Sequence, residues 1–279
     1  MVIDDVRDHF GKYNNERLTD SKENHDLLES FSAPYAAEKM EEYLKQFAWE
    51  DDLAGKTKVY LVKDEDGRIV LYYSLRCGLV IDDSSYEILS KDKKDYVDWM
   101  TKSIKDKDSD QMALSYETCA KDCGYPEADK LFEISHRRAD RKNDKEELSK
   151  LENTLYVERS YAAIELQHFC RNANYPSSRI HGVPIGFGIF WEQIVPQIKK
   201  IADLIGCEYL YLFAADKAQG EEPKKLVEHY KSAMKFSAVE DVKIVKPDYD
   251  MSCISLVQPL LGLEGNRRRA WEEYSDLIK

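Results

Sequence analysis

His181–Asp216, HGVPIGFGIFWEQIVPQIKKIADLIGCEYLYLFAAD, places a glycine-punctuated turn ahead of an amphipathic run and an apolar strand. Gly186 and Gly188 lack Cβ atoms, so a ligand oxygen can approach the amides of Gly186, Phe187, Gly188 and Ile189. Unpaired N–H groups and aligned peptide dipoles at a helix start favour a pyrophosphate there. A tight strand-to-helix turn without a ligand is the alternative. The stretch has no Gly-Lys-Ser/Thr ending and no third glycine, which disfavours a phosphate-binding-loop NTPase and a dinucleotide-binding dehydrogenase. Pro196 falls well inside the helical run, where it removes a backbone hydrogen bond and predicts a kink.

Upstream, YVERSYAAIELQHFCRN (156–172) has strand composition. Met40, Tyr43, Leu44, Phe47 and Ala48 recur at helical intervals and predict one amphipathic helix after Pro34. Two β-rich runs follow, joined at Asp66-Gly67, and predict an antiparallel hairpin. Residues 82–156 are charge-dense and glycine-poor; Tyr96, Trp99, Met100 and Ile104 predict a helix and a second is expected after Asp144, so the segment reads as a helical insertion. Residues 1–33 read as a polar, peripheral arm. Downstream, KKLVEHYKSAMKF predicts a helix, DVKIV and MSCISLV predict strands, and 258–279 a helical tail whose Arg267, Arg268 and Arg269 form a solvated face.

A chain of 279 residues can bury a full core. Its 53 acidic against 41 basic residues give a formal charge of −12, which disfavours nucleic acid as a partner and suits a cationic or neutral substrate. The six cysteines are scattered through apolar runs rather than arranged as a secreted disulfide framework, which fits a reducing cytoplasm. Cys119 and Cys123 lack a second pair or a histidine cluster to complete a zinc set, so no metal is expected. No stretch has the apolar length to cross a bilayer, and no membrane partner is expected. The oligomeric state stays open, a homodimer included.

The order hairpin, strand, glycine turn, helix, strand, short helix resembles the GNAT acyltransferase superfamily. SYAAIELQHFCRN is similar to that family's central strand, VPIGFG to its pyrophosphate loop Gln/Arg-x-x-Gly-x-Gly/Ala, YLYLFAAD to the strand that follows, and LVEHYKSAMKF to its closing Ala-x-x-x-Tyr-x-x-x-Gly-Phe. The resemblance covers 34–81 and 157–257, and the opening segment also resembles members that include acyltransferase toxins. It implies an α/β fold with a mixed, splayed central sheet flanked by helices, plus the mostly helical insertion. It also implies acetyl-CoA as acyl donor, contacted by Phe169, Cys170 and Arg171 at the strand end, by Val183, Gly186, Phe187, Gly188 and Ile189 in the loop, and by Ala215. Val183 replaces the family's Gln or Arg, removing one phosphate donor; Arg179 is a candidate substitute, ranked below the alternative of a surface arginine serving only solubility. Lys235 replaces the closing glycine.

Acyl transfer to an amine needs a base for the amine proton, donors for the thioester carbonyl and an acid for the leaving thiolate. The resemblance puts Tyr230 in the acid role and Glu165 in the base role; a half-buried packing tyrosine is the alternative for Tyr230. Glu165 is a carboxylate inside an apolar strand, a costly place unless solvated or paired. Strand alternation sends His168 to the opposite face, so the two are not expected to act together. The expected function is direct acetyl transfer to a small-molecule or peptide amine. The alternatives are a silent coenzyme A-binding or protein-interaction module and, ranked below it, a toxin acetylating aminoacyl-tRNA.

Overall fold

The computed structural model describes residues 3–35, 37–82, 86, 89–140, 159–215, 224–239, 242–245 and 253–278. The chain divides into two compact units, one of Met1–Leu79, Tyr161–Val239 and Val245–Lys279, the other of Val80–Ser160 and Glu240–Ile244.

The first unit is built on a mixed sheet. Its strands are β1 (Asn14–Arg17), β2 (Lys58–Lys63), β3 (Ile69–Asp82) and β4 (Ser160–Arg171). After β4 a two-strand ribbon, β5 (Arg179–Ile180) with β6 (Val183–Pro184), stands apart from the sheet, which resumes with β7 (Tyr209–Ala214) and β8 (Ser237–Ala238). β9 is Val242–Ile244 and β10 is Ile254–Pro259. The sheet order is β1-β2-β3-β4-β7-β10-β8. β4 and β7 are parallel; β1–β2, β2–β3, β7–β10 and β10–β8 are antiparallel. This is an α/β fold with a mostly antiparallel central sheet flanked by helices.

β3 is buried from Ile69 to Leu75 because both faces of the sheet are covered. On one face Leu71, Tyr73 and Leu75 join the larger core with Val6, Phe10, Ile194, Ile198, Val227 and Ala270, drawn from five helical segments. On the other, Tyr72 packs with Leu18, Phe31, Leu44 and Ala48. The Asp66-Gly67 turn forms as expected: Gly67 takes a left-handed φ of 81° and its N–H donates to the Asp64 carbonyl.

Three expectations need correction. The helix after Pro34 is two helices, Glu38–Gln46 and Ala48–Leu53, divided at Phe47, which leaves helical geometry at φ −122° and stays exposed. The opening residues are not peripheral: helix Ile3–Gly11 drives Val6 and Phe10 fully into the main core, and β1 is a sheet strand. Arg267 is not a solvated charge, because it ion-pairs with the buried carboxylate of Glu192, which also accepts from Arg7 and the Trp271 indole.

The second unit contains helices Lys91–Asp106, Ser109–Cys123 and Tyr125–Asp140 around Val97, Met100, Cys119, Ala128, Leu131 and Ile134. Asp108 caps the middle helix by accepting from the Gln111 N–H. Val80–Asp82 pair with β9. The helix expected after Asp144 lies outside the described residues, as does Asp216. Among the described residues no helix is long and apolar enough to cross a membrane, and no group of His, Cys, Asp or Glu is arranged to hold a metal ion.

Candidate active site

β4 and β7 share only three parallel rungs, Ala163 with Tyr209, Ile164 with Leu210 and Glu165 with Tyr211. Beyond them β4 continues to Arg171 and β7 to Ala214, with no further rung among the described residues. The sheet therefore parts at Glu165 and Tyr211, leaving backbone groups of both strands facing an opening. Two strands that part inside a sheet can pair with an extended, amide-bearing ligand arm.

Glu165 sits at the apex, 1% exposed. Its Oε2 accepts from Arg76 Nε at 2.7 Å and from the Tyr211 hydroxyl at 3.1 Å. The pairing offsets the cost of burying the carboxylate. Burial and the neighbouring Glu165 carboxylate push the Tyr211 phenol well above its ordinary range, so it remains a donor.

His168 lies on the same face as Glu165, contrary to regular alternation. Ser74 Oγ is 2.7 Å from His168 Nδ1, and Arg76, two residues along β3, meets Glu165, three residues back along β4. β4 thus carries one extra residue, a bulge, between these contacts. The same shift puts both Leu166 and Phe169 against the main core. His168 stacks on Tyr43 with ring centroids 4.0 Å apart. Burial, reinforced by Arg76, holds its imidazole down at about 4, so it is neutral and structural at pH 7.

That neutrality has a measurable consequence. An unfolded chain with an ordinary histidine binds a proton below about pH 6.5, whereas folded His168 resists protonation down to about pH 4. Its contribution to stability is present above pH 6.5 and lost as pH falls toward 4, in total about 3 kcal/mol. His168→Gln should flatten the fall of the melting temperature across that window. His9 and His229 are also shifted down by burial, so the difference between wild type and variant is the quantity to read.

Tyr230, on helix Lys224–Met234, is buried to 9% exposure against Phe236. Burial, with the Cys170 thiol adding to it, pushes its phenol up to about 12. Tyr230 thus stays protonated at neutral pH, and Cys170 of β4 is its electrostatic neighbour. Cys170 is itself buried and pushed by burial up to about 12, so it is a packing thiol rather than a nucleophile.

The glycine turn is rearranged relative to its sequence reading. Its tight turn is His181-Gly182, both at positive φ (49° and 84°), closing the β5–β6 ribbon. Gly186 and Gly188 lie inside the helix that follows, Ile185–Ile189. A Cβ on Gly188 would sit 2.4 Å from the Phe10 ring, so this glycine makes room for Phe10, not for a ligand. Val183 and Ile189 are fully buried, and Phe187 packs edge-on to Trp271. The Ile185 N–H donates to the Ser178 carbonyl, and among the described residues the Gly186 and Phe187 amides of the first helical turn meet no acceptor. A Cβ on Gly186 would stand 3.5 Å from Phe169, so the helix start and the end of β4 adjoin. Arg179 is spent on the Gly182 carbonyl and Arg171 on the Asn172 carbonyl, while Ala215 lies exposed just beyond β7. Pro196 lies within one helical run from Ile185 to Ile205: Phe190–Ile194, just ahead of it, takes a π turn, and Pro196 is the second residue of the α-helical stretch Val195–Ile205.

Gly188 yields a stability test. Gly→Ala within a helix ordinarily stabilises by about 0.5–1 kcal/mol, but the Phe10 ring blocks the added methyl. Gly188→Ala should destabilise by about 1–3 kcal/mol, read as a lowered melting temperature. A raised melting temperature would contradict the packing assigned to Phe10.

Arg76, Gly78 and Tyr211 escaped the sequence reading. Their signal was present in YYSLRCGLV, where Ser74, Arg76 and Gly78 alternate along one face of β3. An arginine and a glycine in an otherwise apolar strand mark a close approach by another group.

No protein-family profile matches the chain, and no curated protein matches it. Among solved structures it is similar to a mutant of the toxin AtaT, at 12% identity over 91% of this chain and 93% of that one, with a TM-score of 0.48. It is similar to AtaT complexed with acetyl-methionyl-tRNAfMet, at 12% identity over 90% and 97% of the two chains, TM-score 0.45. A third likeness is to AtaTR bound with acetyl-CoA, at 12% identity over 91% and 96%, TM-score 0.46. The opening between β4 and β7, rather than these distant likenesses, carries the functional reading.

Proposed function

We propose that the chain is an acetyl-CoA-dependent N-acetyltransferase of the GNAT type. The observation that carries the reading is the parting of two parallel strands just past a buried carboxylate; a buried, protonated tyrosine on helix Lys224–Met234 accompanies it. Coenzyme A has an amide-bearing pantetheine arm that two such strands can hold, and a pyrophosphate that suits the Gly186 and Phe187 amides. Acetyl-CoA supplies the thioester acyl group. Backbone N–H groups of Phe169 to Arg171 are assigned to its carbonyl and arm.

The chain's own residues then divide the proton transfers. Glu165 receives the proton that the acceptor nitrogen gives up as its bond to the acyl carbon forms, directly or through one water. Tyr230 gives a proton to the sulfur as the carbon–sulfur bond breaks. The amine becomes an amide and the thiolate leaves as a thiol.

The acceptor is an amine, and the acidic chain suits a cationic small molecule or basic peptide. Aminoacyl-tRNA is the other acceptor to test, since AtaT is complexed with an acetylated one. A silent coenzyme-binding module is favoured by one observation, the buried Val183 where a phosphate-binding side chain would stand. Thiol release from acetyl-CoA, measured with small amines, basic peptides and aminoacyl-tRNA in parallel, tests the reading. Acceptor-dependent release is expected. Coenzyme binding with no release on any acceptor would support the silent module.

A further inference from the structure

Both hydrogen bonds to Glu165 fall on Oε2, one from Arg76 on β3 and one from Tyr211 on β7. Among the described residues no hydrogen-bond donor reaches Oε1. A carboxylate gripped at one oxygen by two donors from opposite neighbouring strands cannot swing, and its other oxygen keeps one direction. Tyr211 achieves its grip only because position 78 has no side chain: a Cβ there would lie 2.2 Å from the Tyr211 hydroxyl and 2.4 Å from its ring. Gly78 has no positive φ, so backbone conformation does not demand a glycine there. Tyr211 is also the rung partner of Glu165 in the last parallel rung before the strands part.

We propose that Tyr211, seated over Gly78, is a positioning residue for the acyl transfer: its hydroxyl fixes Glu165 so that Oε1 is presented to the β4–β7 opening as the proton acceptor. The inference rests on the acyltransferase reading given above. Among the described residues, the charged and titratable groups that meet Glu165 are Arg76 from β3 and Tyr211 from β7. His168 of β4 lies on the same face, with Tyr43 of helix Glu38–Gln46 stacked on it and Asp51 of helix Ala48–Leu53 acting on it electrostatically.

Tyr211→Phe keeps the ring and deletes the hydroxyl; Gly78→Ala keeps the hydroxyl and displaces it. Each should lower kcat about tenfold and leave KM for acetyl-CoA within about twofold. The double variant should be no worse than the poorer single one, because both remove the same contact. A second readout needs no turnover: the carbon-13 NMR shift of the Glu165 carboxyl in glutamate-labelled protein at one fixed pH, assigned by its loss in Glu165→Gln, should move in both Tyr211→Phe and Gly78→Ala. An unchanged shift with an unchanged kcat in an active enzyme overturns this inference alone. A wild type without turnover on any acceptor overturns the acyltransferase reading, and the role of Tyr211 in transfer with it.

Discussion

Tyr230→Phe is expected to lower kcat by about two orders of magnitude or more, the scale of a lost general acid, while acetyl-CoA affinity stays within about threefold. The phenol is buried in the main core against Phe236 and is held protonated up to about 12. A phenol in that state is a poor base and a competent donor to a departing thiolate. Phenylalanine fills nearly the same volume, so the core around Phe236 should tolerate it at a cost below about 1.5 kcal/mol, and lost rate will not reflect unfolding. Steady-state thiol release and calorimetric titration with acetyl-CoA separate the two parameters. An unchanged rate would remove Tyr230 from the acid role and leave it as a packing residue.

Glu165→Gln is expected to reduce kcat/KM by about 100-fold and to abolish the acidic limb of the pH–rate profile. The amide is nearly isosteric and its oxygen still accepts from Arg76 and Tyr211, so the geometry at the apex survives while the proton acceptor is lost. Arg76 loses its counter-charge, but its side chain is 39% exposed and water takes over much of the compensation. Wild-type pH dependence in the variant would reject Glu165 as the base. The partner variant Arg76→Gln, which removes one of the two donors that hold Glu165, should lower kcat about tenfold.

Much of this architecture is legible in the chain because its signals are local. The Asp66-Gly67 hairpin, the Lys91–Asp106 helix and the strand around Glu165 follow from turn chemistry and apolar period. What escaped depends on contacts between distant segments. Nothing near Phe47 announces that the helix breaks there. Gly188 reads as a ligand-facing glycine until Phe10, far away in sequence, is seen occupying the space. The bulge in β4 leaves no mark in composition, yet it brings His168 to the face of Glu165 and so reverses a conclusion drawn from regular alternation. Motif position nominates Glu165 and Tyr230, while Arg76 and Tyr211, which hold Glu165, needed the register of three strands.

The account stands on the opening between β4 and β7 as the seat of the acyl donor. A crystal structure of the chain with coenzyme A tests this most directly. The expected result is the pantetheine arm lying between the two strands, its sulfur within hydrogen-bond reach of the Tyr230 hydroxyl and its pyrophosphate at the Gly186 and Phe187 amides. Coenzyme bound elsewhere on the chain, with β4 and β7 parted around nothing, would contradict it.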